Sequence, residues 1–159
     1  MNLRNANLSG ADLSGSNMTG ADLTGADLTQ TTLYGVNLTD ADLVNSQLVE
    51  ATLTTANLTT ADLSGSNLRQ VSAASANMTG ADLTGADLTK AYLETTDLTG
   101  ANLTDANLTG AFLERTNLEN TDLTDAVLTD AKLNWVKNLD KAVLCRTTMP
   151  DATVDNSGC

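Results

Sequence analysis

Residues 17–29 read Asn-Met-Thr-Gly-Ala-Asp-Leu-Thr-Gly-Ala-Asp-Leu-Thr, and residues 77–89 read the same. Within each copy the interval between leucines is five, and that interval runs far beyond them. Every fifth residue from Leu3 to Leu133 is Leu except Met18, Ala73 and Met78, which makes 27 consecutive pentads without an insertion. Two positions before each centre stands a small residue, usually Ala, as at Ala6, Ala11, Ala21 and Ala26; the exceptions are Ser, Thr, Val and Met1. The other three positions are polar: Asp or Asn before the centre, Thr or Ser after it, then often Gly.

A period of five fits neither the 3.6 of a helix nor the 2 of a strand. It suits a short extended piece that ends in a turn. In such a piece the small residue and the centre share one face, and the Asp or Asn between them points outward. Glycine supplies turn conformations closed to other residues, Asn and Asp tolerate turns and hydrogen-bond locally, and Thr favours extended backbone. A chain that turns every five residues with its apolar groups always inward must coil on itself, and stacked coils pair their backbones ~4.8 Å apart. The strict leucine period buries a continuous core, which argues against a disordered low-complexity chain.

The string Ala-Asp-Leu-Thr-Gly at 21–25 and 81–85 resembles the signature of the pentapeptide repeat proteins, and the resemblance covers residues 1–133. It implies an all-β solenoid: a right-handed quadrilateral β-helix with four pentads per coil, the central Leu and the small residue inside. Twenty-seven pentads then form about seven coils in a rod ~32 Å long. The identical stretches lie 60 residues apart, or three four-sided coils, although 60 also divides by three.

Four pentads per coil sort the outward residues onto faces. An acidic face presents Asp22, Asp42, Asp62, Asp82 and Asp122 as a ladder interrupted by Asn102. An asparagine face presents Asn17, Asn37, Asn57, Asn77, Asp97 and Asn117, whose amides can hydrogen-bond along the rod. A third face, centred on Leu13, Leu33, Leu53, Ala73, Leu93, Leu113 and Leu133, collects every aromatic of the chain: Tyr34, Tyr92, Phe112 and Trp135. After Asp12 it carries Thr32, Thr52, Ser72, Tyr92, Phe112 and Lys132 where other faces carry Asp or Asn. Tyr92 and Phe112 fall one coil apart and are expected to stack. This aromatic face is the candidate contact surface for a partner; the alternative is that its turns need different chemistry and the rings shield the β-ladder. Ala73 is the weakest member of the leucine column, where losing a Leu-sized group can leave a cavity costing about 2–5 kcal/mol, with Val71 placed to fill part of it.

Acids outnumber bases 20 to 8, for a net charge of −12. Residues 1–131 hold 17 acids against Arg4, Arg69, Lys90 and Arg115, a net of −13, whereas residues 132–159 hold 3 acids and 4 bases, a net of +1. So acidic a surface repels nucleic acid and anionic membranes, and no apolar run approaches the ~18 residues of a membrane span. Neither direct nucleic-acid binding nor membrane insertion is expected. The absence of His excludes Ser-His-Asp and Cys-His catalysis, the glycines recur as turns rather than as a phosphate loop, and regular Asp rungs on a flat wall do not wrap a cation. No enzyme and no cofactor are expected.

Past Leu133 the period breaks, which divides the chain into a repeat solenoid, 1–133, and a tail, 134–159. Val136, Leu139 and Val143 follow i, i+3, i+7 spacing, which predicts a short α-helical cap with Asn134 or Asn138 as N-cap and Trp135 alongside, ended by Pro150. The tail holds the only cysteines, Cys145 and Cys159. They are either separate thiols or a disulfide, and the disulfide is favoured; it would contribute about 3 kcal/mol and persist in an oxidising compartment. The stretches Leu144–Asp151 and Asn156–Cys159 resemble the tail of cyanobacterial and thylakoid-lumen members of the family, in which the two cysteines look paired. That resemblance implies the periplasm or the thylakoid lumen, with the sequence written as a mature form without its leader; the cytoplasm is the weaker reading. The N-terminal edge shows no cap. The expected function is a non-enzymatic structural or protein-interaction module with a protein partner the sequence does not name, end-to-end or side-face self-association being among its modes. The runner-up, from another branch of the family, is an acidic DNA mimic that binds type II topoisomerase (gyrase).

Overall fold

The structure, a computed structural model, describes residues 1–159. Its organising fact is a parallel bridge from each outward residue to the residue twenty further on, from Asn2↔Asp22 through Asp62↔Asp82 to Asn117↔Lys137. Twenty residues are four pentads, so each coil has four sides. The 60-residue repeat is therefore three coils.

Pentad 26–30 shows how the backbone is satisfied. Ala26 N–H donates to the Leu23 carbonyl at 2.9 Å and closes the turn; Asp27 N–H donates down to Ala6, Leu28 N–H up to Gln47, and Gln30 N–H up to Val49. Only the fourth amide remains, and Thr29 N–H donates to the Asp27 side chain at 2.9 Å. Buried backbone donors need partners, and an Asp or Asn before the centre is the side chain that reaches this one. Asx turns of this kind explain why the pentad prefers those residues there. The fifth residue of every pentad, from Asn5 to Trp135, has a positive φ between 53° and 70°, as the third position of a type II turn requires.

The small residues and the centres form one core running from Met18 to Leu144. Where Thr replaces Ala inside, its hydroxyl finds a carbonyl in the coil below: Thr31 to Leu8, Thr96 to Ala73, Thr116 to Leu93 and Thr121 to Leu98, at 2.6–2.9 Å. Ala73 leaves no void. It is fully buried, as are Val71 in place of the usual Ala and Met78 in place of Leu, and these larger neighbours take up the missing volume. The single cavity, of about 230 Å³, lies at the mouth of the first coil and is lined by Met1, Leu3, Leu8, Leu13, Ser16, Asn17 and Met18.

The tail departs from the α-helical cap that its spacing suggests. No α-helix forms; only a single 3-10 turn, Leu139–Lys141, is present. Asn138 has left-handed backbone and makes no side-chain cap; its amide instead donates to Asn117 Oδ1 at 2.7 Å. Coiling continues past Leu133, offset by one inserted residue, through the bridges Asp122↔Val143 and Val127↔Thr148. Leu139, Leu144 and Met149 resume the period of five one step out of register, and Leu144 is buried in the core. The ladder edge offers backbone partners at each rung, which a helix end would forgo. Two-residue strands β1 (Thr147–Thr148) and β2 (Val154–Asp155) then pair antiparallel. Gly158 passes close over Leu144 and donates to its carbonyl at 3.0 Å. Cys145 and Cys159 form a disulfide.

Because the core has closed around Ala73, Ala73→Leu is expected to overpack and destabilise by about 1–3 kcal/mol, while Leu53→Ala costs about 2–5 kcal/mol. Urea unfolding of the two variants checks both; a stabilised Ala73→Leu would mean that a void exists there.

Candidate interaction surfaces

The acidic face is built by the turn chemistry. Asp22, Asp42, Asp62, Asp82 and Asp122 each accept a hydrogen bond at Oδ1 from the amide two residues on, at 2.9–3.2 Å. One end is neutralised by Arg4, which pairs with Asp22 at 3.1 Å; Asp42, Asp62, Asp82 and Asp122 have no ion-pair partner. Two Asx-turn carboxylates away from this face, Asp12 and Asp151, ionise more readily than free ones. The Ser14 hydroxyl and then the Ser14 amide lower the pKa of Asp12, and Thr153 does the same for Asp151. On the asparagine face the amides do bond along the rod, Asn57 to Thr39 at 3.0 Å and Asn117 to Thr99 at 2.8 Å and Asp97 at 3.2 Å.

The aromatic face gives up this chemistry. Its turn residues Gly35, Thr55, Ser75, Thr95, Arg115 and Trp135 keep φ between 57° and 61°, so the turn itself is unchanged. The Asx bond is what is lost: Thr32, Thr52, Ser72, Tyr92, Phe112 and Lys132 offer no carboxylate or amide oxygen to the amide two residues on. Tyr92 and Phe112 stack with ring centroids 5.0 Å apart and planes within 2°. Tyr34, three coils below the level of Tyr92, stands alone and is 54% exposed. Trp135, 74% exposed, sits on a left-handed turn residue with the Arg115 guanidinium 5.5 Å from its ring centroid. The four aromatics thus share a side, but only Tyr92 and Phe112 touch.

A cationic cluster escapes the sequence reading. Lys132 bridges Phe112, Lys137 bridges Asn117, and Trp135 lies between them at the corner of the aromatic and asparagine faces. The +1 charge of the tail signals it, but only the coil geometry puts Trp135 beside Arg115.

Four-sided coils, a leucine core and outward Asp/Asn turns define a β-solenoid repeat protein. The pentapeptide-repeat family model matches in eight copies over residues 2–40, 33–72, 61–100, 76–115 and 101–137, so the chain belongs to the pentapeptide repeat family. Among solved structures it is similar to QnrB1, a plasmid-mediated fluoroquinolone resistance protein, with 19% identity over 99% of this chain and 75% of that one and a TM-score of 0.75. At that identity the likeness is one of fold. It is also similar to HetL, a pentapeptide repeat protein involved in heterocyst differentiation regulation from the cyanobacterium Nostoc (28% identity, 98% of this chain and 92% of that one, TM-score 0.33). A third is a pentapeptide repeat protein of the Arabidopsis thaliana thylakoid lumen (30% identity, 76% and 70%, TM-score 0.45). No curated protein gives a sequence match.

The lowered pKa values of Asp12 and Asp151 set a sign for the pH dependence. A carboxyl whose folded pKa lies below its unfolded value of ~3.9 stabilises the fold above that pH, and the contribution is lost as pH falls through the folded value. Asn makes the same turn at Asn17, where the Thr19 amide and hydroxyl bond at 3.1 and 2.7 Å. Asp12→Asn with Asp151→Asn is therefore expected to keep the neutral-pH urea midpoint and to flatten the decline below about pH 4; an unchanged acid limb would refute the assignment.

Proposed function

We propose that this protein is a non-enzymatic rod of about seven right-handed coils that holds a protein partner on its aromatic face, in the periplasm or the thylakoid lumen. The observation that carries the reading is the loss of the Asx bond on one face, with the Tyr92–Phe112 stack in its place on two rungs and the turn geometry unaltered. If the rings served only a different turn, the turn residues would differ in φ, and they do not. Aromatic side chains are enriched where proteins meet. The Cys145–Cys159 disulfide supports an oxidising compartment, and that part of the reading requires no free thiol in protein isolated without reductant.

A second reading rests on the acidic face. Its unpaired carboxylates at ~4.8 Å intervals form a negative strip suited to mimic a phosphate backbone, which favours a type II topoisomerase as partner. A gyrase supercoiling assay separates the two: inhibition or protection at micromolar protein, lost on Asp62→Asn with Asp82→Asn, would promote the acidic face.

For the aromatic face, Tyr92→Ser with Phe112→Ser is expected to leave the fold intact by far-UV circular dichroism and to abolish partner capture from the native compartment. Capture and sedimentation identical to the parent protein would retire it.

A further inference from the structure

We propose that the corner between the aromatic and asparagine faces, at the C-terminal end of the rod, binds an extended acidic peptide segment of a partner protein. This rests on the aromatic face being an interaction surface and adds the chemistry of its occupant.

Charge provides the first argument. The ion pairs of the chain are Arg4–Asp22, Arg69–Asp87, Lys141–Glu119 and Arg146–Asp125. The cations left over are Lys90, Arg115, Lys132 and Lys137; the last two lie on the two faces that flank this corner, and Arg115 stands one coil below Trp135. With 20 acidic side chains available to 8 basic ones, a shortage of carboxylates does not explain them. Glu114 adjoins Arg115 in sequence, yet its Oε2 is buried without a partner rather than turned to the guanidinium. Trp135 lies in sequence between Lys132 and Lys137, with the Arg115 guanidinium 5.5 Å from its ring centroid, and a Trp–Arg pair is the composition of a binding hot spot.

Backbone provides the second. In every lower coil of the aromatic face the centre and the turn residue donate their amides to carbonyls of the coil above, as Leu113 does to Lys132 at 2.9 Å and Arg115 to Asn134 at 3.2 Å. One coil up, the amides of Leu133 and Trp135 have no such acceptor. The other sides of this end are covered, one by β2 paired on β1 and one by Gly158 over Leu144. The open rim therefore presents backbone donors flanked by Lys132 and Lys137. An extended peptide supplies carbonyls to such an edge by strand addition, and acidic side chains on it reach the lysines. Duplex DNA or an anionic bilayer would also bring its charge against the acidic face, where repulsion opposes it; a short acidic segment meets the corner alone.

Trp135 is the only tryptophan, so its fluorescence reports this corner directly. The probe is a short synthetic peptide of alternating Glu and Leu, with a Gln/Leu peptide of the same length as control. The Glu/Leu peptide is expected to shield Trp135 from iodide quenching, the control to leave it unchanged. Lys132→Gln with Lys137→Gln should weaken the apparent Kd by about tenfold or more, at a urea midpoint equal to the parent's because both lysines are exposed. Equal shielding by both peptides, no shielding by either, or an unaltered titration in the lysine variant overturns the proposal, as does equal shielding by phosphatidylserine vesicles. Loss of the native partner in Tyr92→Ser/Phe112→Ser, alongside a lysine variant that titrates like the parent, would keep the interaction face and discard the acidic occupant.

Discussion

The structure depends on one amide per pentad. Coil stacking and the turn satisfy four of every five backbone N–H groups, as pentad 26–30 shows, and the residue after the centre is left over. An Asp or Asn three atoms out from the preceding rung closes the account. The acidity of the protein follows from this constraint before any function is considered. Net charge −12 is the sum of many turns that each needed an oxygen, with Asp and Asn interchangeable for the purpose, as Asp82 and Asn102 show on adjacent rungs of one face. Where selection for charge acts, it acts on the choice between them.

The second constraint is the left-handed residue at each corner. Ten of the 27 repeat corners are Gly, and the others include β-branched Thr55, Thr60 and Thr95. For an L-residue this conformation costs roughly 1–2 kcal/mol. The surrounding coils hold it, since every corner amide except those of Asn120 and Trp135 is bonded to the coil above, and the threonines return part of the cost by bonding their hydroxyls to the preceding carbonyl at 2.6–2.7 Å. A corner therefore tolerates Glu50 or Lys90, and the turn position becomes a place where the rod can display a long side chain.

The leucine period made a coil and its inward residues legible; the four faces, and with them the Tyr92–Phe112 stack, followed once the family resemblance supplied four pentads per coil. The tail was not legible, for a physical reason. A single inserted residue at 138 shifts Leu139, Leu144 and Met149 out of the count, and Val136, Leu139 and Val143 then mimic a helical stripe. What decides between helix and coil is the waiting ladder edge of the preceding turn, a partner that lies twenty residues away in sequence. The cationic corner was hidden likewise: Arg115 and Trp135 are unrelated in sequence and become neighbours only because one stands a full coil above the other.

The coils repeat one rule, and what sets the sides of the rod apart is where they depart from it. The acidic ladder obeys the rule; it is what the fold yields by default. On the aromatic face, by contrast, pentads from Thr32 onward give up a hydrogen bond that worth roughly 1 kcal/mol on average would favour keeping, and they do so with the corner geometry intact. Restoring Asp or Asn at Ser72, Tyr92 or Phe112 would be chemically simple, since the same residues serve one side away. Six consecutive rungs forgo the bond, two of them carry stacked rings in its place, and the turns stay unaltered, so folding alone does not account for the composition of this side.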